Sequence, residues 1–294
     1  GDFPVTSQQL FQKTDTKSSY HRHPYTDTLM TALSPKKYWR ESWAVGRRIL
    51  TELFRRKRSL ISWLIFPALI LMLNGLITAE RADTTVSTAF EVAAPPTLVG
   101  AALFFSCLGG GVATVVSERE QQTLKRLFLS PLSGVSYFLG IFLAHSVIGV
   151  GQALVIFAIA AFAGASFSDA AWPLAILIIW LSILAYVGLG FMLGTQFARR
   201  TEDVSALIAA FGVPLMVLGG AFLPISLFPE SLLDIARFNP IYHMTEALTN
   251  ALLNADNPLG DSGGHFWFLL TFAFAMVLVG WLSYKRMLVQ ERQL

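Results

Sequence analysis

Apolar and charged positions are segregated along this chain. Six runs, residues 60–78, 96–116, 136–164, 172–194, 204–228 and 266–284, contain no Asp, Glu, Lys or Arg. Each is close to or above the ~20 residues that a helix needs to cross a hydrocarbon layer of about 30 Å. A segment crossing lipid singly must satisfy its own backbone, which only a helix does. The pattern predicts an all-α polytopic membrane protein with a transmembrane domain of six helices over 60–284. In the fifth run, Pro214, Gly219, Gly220 and Pro224 are helix breakers, with Pro229 just beyond. Between the fifth and sixth runs, residues 230–238 and 241–253 form two short amphipathic pieces divided by Asn239 and Pro240. Neither is apolar enough to span.

Ahead of the first run the periodicity changes. Residues 35–59 place Trp39, Trp43, Gly46, Leu50, Leu53 and Phe54 at three- and four-residue spacings, with Lys and Arg on the other face. This predicts an amphipathic helix lying in the membrane interface, its Trp rings at headgroup depth. Residues 1–34, rich in Ser, Thr, Gln and His, read as a flexible tail. Residues 285–294 read as a second tail. No signal peptide is expected, because the first apolar run begins only near Leu60.

Composition strengthens this reading and charge orients it. Charged residues make up 14% of the chain, against roughly 25% in soluble domains, which excludes an ordinary soluble fold. Of the 22 Lys and Arg, all but Arg81 and Arg237 fall in residues 1–59, 117–135, 195–203 and 285–294. With six spans those four segments share one side, and the positive-inside rule makes that side cytoplasmic. Both termini are then expected inside a cell (inner or plasma) membrane.

One cytoplasmic segment stands out. Residues 117–134, SEREQQTLKRLFLSPLSG, are densely charged between two long apolar runs. Ser117 and Glu120 fit the S-x-x-E capping box, which satisfies free amides at a helix start. Leu124, Leu127 and Phe128 form a short apolar face, and Pro131 stops the turn. The expectation is a short surface helix exposing Glu118, Glu120, Gln121, Gln122 and Lys125. A solvated loop with topogenic charges fits the same residues.

Other chemistry is sparse. Cys107 is the sole cysteine, so no intrachain disulfide or multi-cysteine metal site can form. His21 and His23 lie in the polar tail, and His243 and Glu246 share one helix face without further ligands, so no metal site is expected. An ion-coupled carrier usually places ionisable groups within its spans, and here only His145 qualifies. The dipeptide Gly-Lys never occurs, so the chain has no phosphate-binding loop of its own.

The stretch at 117–134 resembles the loop after the second span in membrane subunits of the ABC-2 family of ATP-binding-cassette transporters. The residues that carry this are Glu118, Glu120, Gln122, Thr123, Leu124, Leu127, Ser130 and Pro131, with Gln122 where Gly is common. A second patch, residues 222–248, FLPISLFPESLLDIARFNPIYHMTEAL, resembles the family's segment after the fifth span. Among members the chain looks closer to drug and lipid exporters.

The resemblance implies a transport subunit that is not itself an enzyme, coupled to a separate ATPase subunit that binds ATP and Mg. Glu118, Glu120, Gln122, Thr123, Leu124, Lys125, Leu127 and Pro131 would form a coupling helix docking on that partner. The interfacial helix, with Trp39, Trp43, Leu50 and Phe54, would contribute to the dock. Phe104 and Phe105 of span two, with Met216 and Phe222 of span five, would line a route between two membrane subunits, a homodimer or a heterodimer. Pro224, Pro229, Asn239 and Pro240 would belong to a re-entrant outer helical hairpin. So apolar a lining favours a lipid, glycolipid or hydrophobic drug-like compound, and the resemblance implies that it is moved outward. Membrane lipids are expected partners and nucleic acid is not. A lipid-linked polysaccharide exporter subunit is the alternative within the family, and an ion-independent secondary carrier or channel the alternative outside it.

Overall fold

The computed structural model describes residues 35–121, 123, 132–222, 224–225, 228–254, 256–260 and 263–291. Contacts divide the chain into residues 1–37 and 38–294, and every span belongs to the second unit. Among the described residues every regular element is helical. Six helices are long and apolar enough to cross a membrane, over Lys57–Arg81, Val86–Glu120, Gly134–Phe162, Trp172–Gln196, Thr201–Leu218 and Gly264–Met287.

The first helix, α1 (Pro35–Arg55), precedes span one, α2 (Lys57–Arg81). Its buried face is Ser42, Val45, Gly46, Ile49 and Leu53, a stripe at helical spacing. Burying three aliphatic side chains of this size contributes ~1.5–3 kcal/mol each. Trp39, Trp43 and Phe54, expected at the membrane interface with Leu50, are more than half exposed, and Leu50 is half-buried. The stripe that holds α1 to the bundle runs through Val45 and Ile49, to one side of the tryptophans. Contact with span three, α5 (Gly134–Phe162), is close enough that a Cβ on Gly140 would meet Val45 at 2.5 Å.

Span two is longer than its apolar run. The segment from 79 to 95, expected as an outer connection, is helical from Val86, where the Thr85 hydroxyl accepts the Thr88 amide at 3.3 Å. It comprises α3 (Val86–Thr97), two π-helical segments (Leu98–Ala102 and Phe104–Gly109) and α4 (Gly110–Glu120). Pro95 and Pro96 lie inside this helix just before the first π-helical segment, where missing amides disturb the regular ladder. Neighbouring spans satisfy carbonyls there. The Tyr186 hydroxyl donates to Val99 O at 2.7 Å, and His145 Nδ1 donates to Ser106 O at 2.9 Å. His145 is fully buried in this bridge between spans two and three.

Span four is α6 (Trp172–Gln196). Span five comprises α7 (Thr201–Leu207), a π-helical segment (Ile208–Gly212) and α8 (Val213–Leu218). It ends at Leu218 rather than near 228, because Gly219 follows as C-cap and Gly220 takes a φ of 83°, outside the range of ordinary side chains. Two short helices follow, α9 (Glu230–Ala236) and α10 (Pro240–Leu253), and then span six, α11 (Gly264–Glu291). The last helix continues through residues expected as a tail, and its later turns bring Tyr284 and Met287 into the core.

Candidate functional site: the base of the charged loop

Ser117 and Glu120 do not start a helix. They lie in the last turn of α4, whose C-cap is Gln121, with the Gln121 amide donating to Ser117 O at 3.0 Å. Span two runs on past its apolar segment, so the amides that a capping box would serve are already paired. Glu118, Glu120 and Thr123 are among the described residues. Gln122, Leu124, Lys125, Leu127 and Pro131 lie outside them.

Three consecutive side chains in this turn reach three different places. Glu118, expected at the surface, is only 4% exposed. Its Oε1 is paired with Arg48 of α1, and its Oε2 accepts from the Tyr137 hydroxyl of α5 at 2.5 Å. Tyr137 in turn stacks on Tyr284 of α11, with ring centroids 5.5 Å apart. Burial of a carboxylate is costly unless it is paired and hydrogen-bonded, and here it is both.

Arg119 turns toward span four, its guanidinium 3.3 Å from Gly194 O and 3.4 Å from Ala198 O. A cation at the end of α6 meets the negative end of that helix and its unpaired carbonyls. Glu120 is exposed and points toward span five. It accepts from the Thr201 amide at 3.0 Å and from the Thr201 hydroxyl at 2.6 Å. Asp203 accepts the Arg199 and Arg200 amides at 2.8 and 2.9 Å, so two carboxylates complete the start of α7. The base of the loop is thus tied to α1 and to spans three, four and five.

Nearby, Glu41 of α1 accepts from the Ser133 amide at 3.3 Å and the Ser136 hydroxyl at 2.6 Å. Ser133 caps α5 at the far end of the same loop. Both ends of the loop are therefore anchored to α1. Sequence reasoning missed Arg48, Tyr137, Glu41 and Thr201, although the burial stripe through Val45 and Ile49 passes beside Arg48.

The residues expected to line a route are divided. Phe104 and Met216 are core residues, 2% and 0% exposed. Phe104 packs edge-on to Tyr186, and a Cβ on Gly212 would clash with its ring. Gly109 faces Ile208 in the same way, so the π-helical segments of spans two and five interlock through two glycines. Phe105 and Phe222 are half-buried and meet through Phe66 of span one, at centroid distances of 5.0 and 6.3 Å.

At the opposite end of the bundle, α10 satisfies the broken end of span five. The Asn239 side-chain Nδ2 donates to Leu215 O at 2.6 Å, while its Oδ1 caps α10 by accepting from the Ile241 amide. Thr245 donates to Gly219 O at 2.8 Å, and Asn74 of span one donates to Ala221 O at 2.7 Å. Met244, Leu248 and Ala251 are fully buried, so α10 sits among the spans, while Pro224 is half-buried and Pro229 exposed. His243 Nε2 donates to Arg237 O at 2.9 Å, and its Nδ1 lies 3.0 Å from His265 Nδ1. Burial holds His243 below its ordinary 6.5 and lifts the Glu246 carboxyl above its ordinary 4.5.

Comparison with known proteins agrees with this architecture. A family model described as "ABC-2 family transporter protein" matches residues 77–282. The chain is 26% identical over 179 residues to the "Probable multidrug ABC transporter permease YbhR" of Escherichia coli K12, covering 59% of this chain and 46% of that protein. It is 28% identical over 148 residues to the "Putative transport permease YvfS" of Bacillus subtilis 168, covering 47% of this chain and 58% of that protein. The matches span about half the length of these curated relatives.

Proposed function

The chain belongs to the ABC-2 family of transporter proteins, and from that premise we propose that it is the membrane-spanning subunit of an ATP-driven exporter. A separate ATP-binding-cassette subunit binds and hydrolyses ATP and docks on the loop after span two, with α1 beside it. Two membrane subunits form the route, and the substrate is an amphipathic compound moving out of the cytoplasm or the inner leaflet. Both termini lie in the cytoplasm, α1 lies in the membrane interface, and α9 with α10 forms the re-entrant outer hairpin.

The single observation that carries this reading is the fan of contacts from Glu118, Arg119 and Glu120. A loop that only set topology would need charge but no ties. Here the residues at its base reach α1 through Arg48, span three through Tyr137, the end of span four through its carbonyls and span five through Thr201. A displacement of the loop by a closing ATPase pair is passed at once to four elements, through packed groups that keep their partners. The exposed tryptophans of α1 support its interfacial placement. The substrate class follows the apolar character of spans two and five and the multidrug name of the E. coli relative.

The test is transport in inside-out vesicles containing the chain and its cognate ATPase. An amphipathic fluorescent dye should accumulate with ATP and not with a non-hydrolysable analogue. Accumulation that ignores ATP and follows an ion gradient instead would replace this reading with a carrier.

A further inference from the structure

We propose that an anionic phospholipid binds in the groove between spans three and six, in the leaflet at the carboxyl end of α11. The inference rests on the membrane-spanning character of the two helices and not on the transport reading.

The groove has a volume of about 550 Å³ and is walled by Val135, Leu139, Phe274, Leu278 and Trp281, with Phe138 at its floor. That volume lies within the ~300–1,000 Å³ of sites that hold a small molecule. Its walls are the first turns of α5 and the middle turns of α11, joined by an edge-on contact of Phe138 with Trp281 at 5.8 Å. Phe274 and Leu278 are 69% and 57% exposed. Both helices are membrane-spanning here, so an occupant at this depth has to be apolar.

The headgroup follows from the spacing along α11. Phe274, Leu278, Trp281 and Lys285 fall at intervals of four, three and four, which puts them on one face. That face passes from aliphatic and aromatic positions to an interfacial indole and then to a cation, the same order as tail, glycerol region and headgroup of a phospholipid. The Lys285 ammonium lies 5.1 Å from the centre of the Trp281 ring, which itself walls the groove. Arg286 is beside it, and both are exposed. Among the described residues neither has a carboxylate partner. Glu41, the carboxylate near the start of α5, is engaged with Ser133 and Ser136. A cation at the edge of an apolar slot, with a second on the neighbouring helix face, fits an anionic phosphate better than the zwitterionic headgroup of phosphatidylcholine.

The test is native mass spectrometry of the full-length protein, titrated in detergent with phosphatidylglycerol or phosphatidylcholine of identical chains. The wild type should retain phosphatidylglycerol in preference. Lys285→Gln with Arg286→Gln should weaken phosphatidylglycerol retention by about fivefold to 25-fold and leave phosphatidylcholine unchanged, since each basic group near an anionic surface is worth about a factor of five. Lys285→Arg with Arg286→Lys should restore it. Leu278→Trp, which fills the slot, should weaken both lipids alike. Equal retention of the two lipids by the wild type would overturn the proposal, whatever the variants do. So would undiminished phosphatidylglycerol binding by the Gln pair. Disulfide formation between Leu278→Cys copies in native membranes would assign the groove to a second copy of the chain instead.

Discussion

Glu118 and Arg48 stand 70 positions apart and form an ion pair that joins the last turn of span two to the helix preceding span one. The carboxylate is buried, while the arginine side chain keeps 37% of its exposure. This asymmetry sets the energetics. A fully buried pair broken on one side costs ~3–5 kcal/mol, and partial hydration of Arg48 lowers that figure.

Arg48→Ala should therefore destabilise the protein by about 1–3 kcal/mol. Glu118→Gln should cost less, since it removes the charge that Arg48 balanced while Tyr137 can still donate. The double variant should be less destabilised than the sum of the two, which a thermal-shift double-mutant cycle in detergent measures. Strict additivity would mean that the pair is not coupled.

Tyr137→Phe removes one hydrogen bond to a charged acceptor and should cost ~1.5–3 kcal/mol. It leaves the ring stack on Tyr284 intact. If the contact transmits motion, dye accumulation per ATP hydrolysed should fall while hydrolysis persists. Equal losses in both rates would point to general damage.

Glu120→Ala should act on span five without touching α1. Removing two hydrogen bonds from the start of α7 should lower thermal stability, with the loss limited by the exposure of Glu120 to solvent. Thr201→Val, which deletes the hydroxyl but keeps the amide, should show roughly half of that loss. Accessibility of a cysteine placed at Thr201 should rise in the Glu120→Ala background.

Asn239→Ala strips the N-cap of α10 and leaves Leu215 O without its donor, a cost of ~1–3 kcal/mol. Asn239→Asp keeps the cap but loses the donor, so it should fall between Ala and wild type in thermal stability.

His243 gives a pH signature. Its folded pKa lies below the unfolded 6.5, so the unfolded state binds the proton more readily. Stability from this group is present above 6.5 and declines as pH falls below it. Glu246 works in the opposite direction, because its raised pKa relieves a buried carboxylate as pH falls toward 4.5. His265 lies 3.0 Å from His243 and titrates with it as a pair. In a Glu246→Gln background, thermal stability should therefore drop on acidification through 6.5, and His243→Gln with His265→Gln should flatten that drop.

What could be read from the residues alone depends on what each one does. The six spans were legible because lipid demands a continuous apolar helix, but the end of span five was not, since the apolar run continues to 228 and the positive φ of Gly220 is what stops the helix at Leu218. The register of α1 was not, because Trp39 and Trp43 are as apolar as Val45 and Ile49, and only the close approach of Gly140 decides which stripe is buried. Glu118 was misplaced for a related reason. A charged residue beside a span reads as solvated, and of the partners that bury it, Arg48 is distant in sequence and Tyr137 lies across the loop. Phe104 and Met216 look like any lining residues until the interlocked π-helical segments put them in the core.

Coupling through these contacts requires a separate ATPase docked on the loop whose base they hold. Purification of the chain from native membranes in mild detergent, with quantitative mass spectrometry of what accompanies it, decides whether that partner exists. An ATP-binding-cassette subunit should appear in equal amount and be lost when residues 121–131 are replaced by a Gly/Ser linker. A chain that purifies alone, or that keeps the ATPase after the replacement, would contradict the docking.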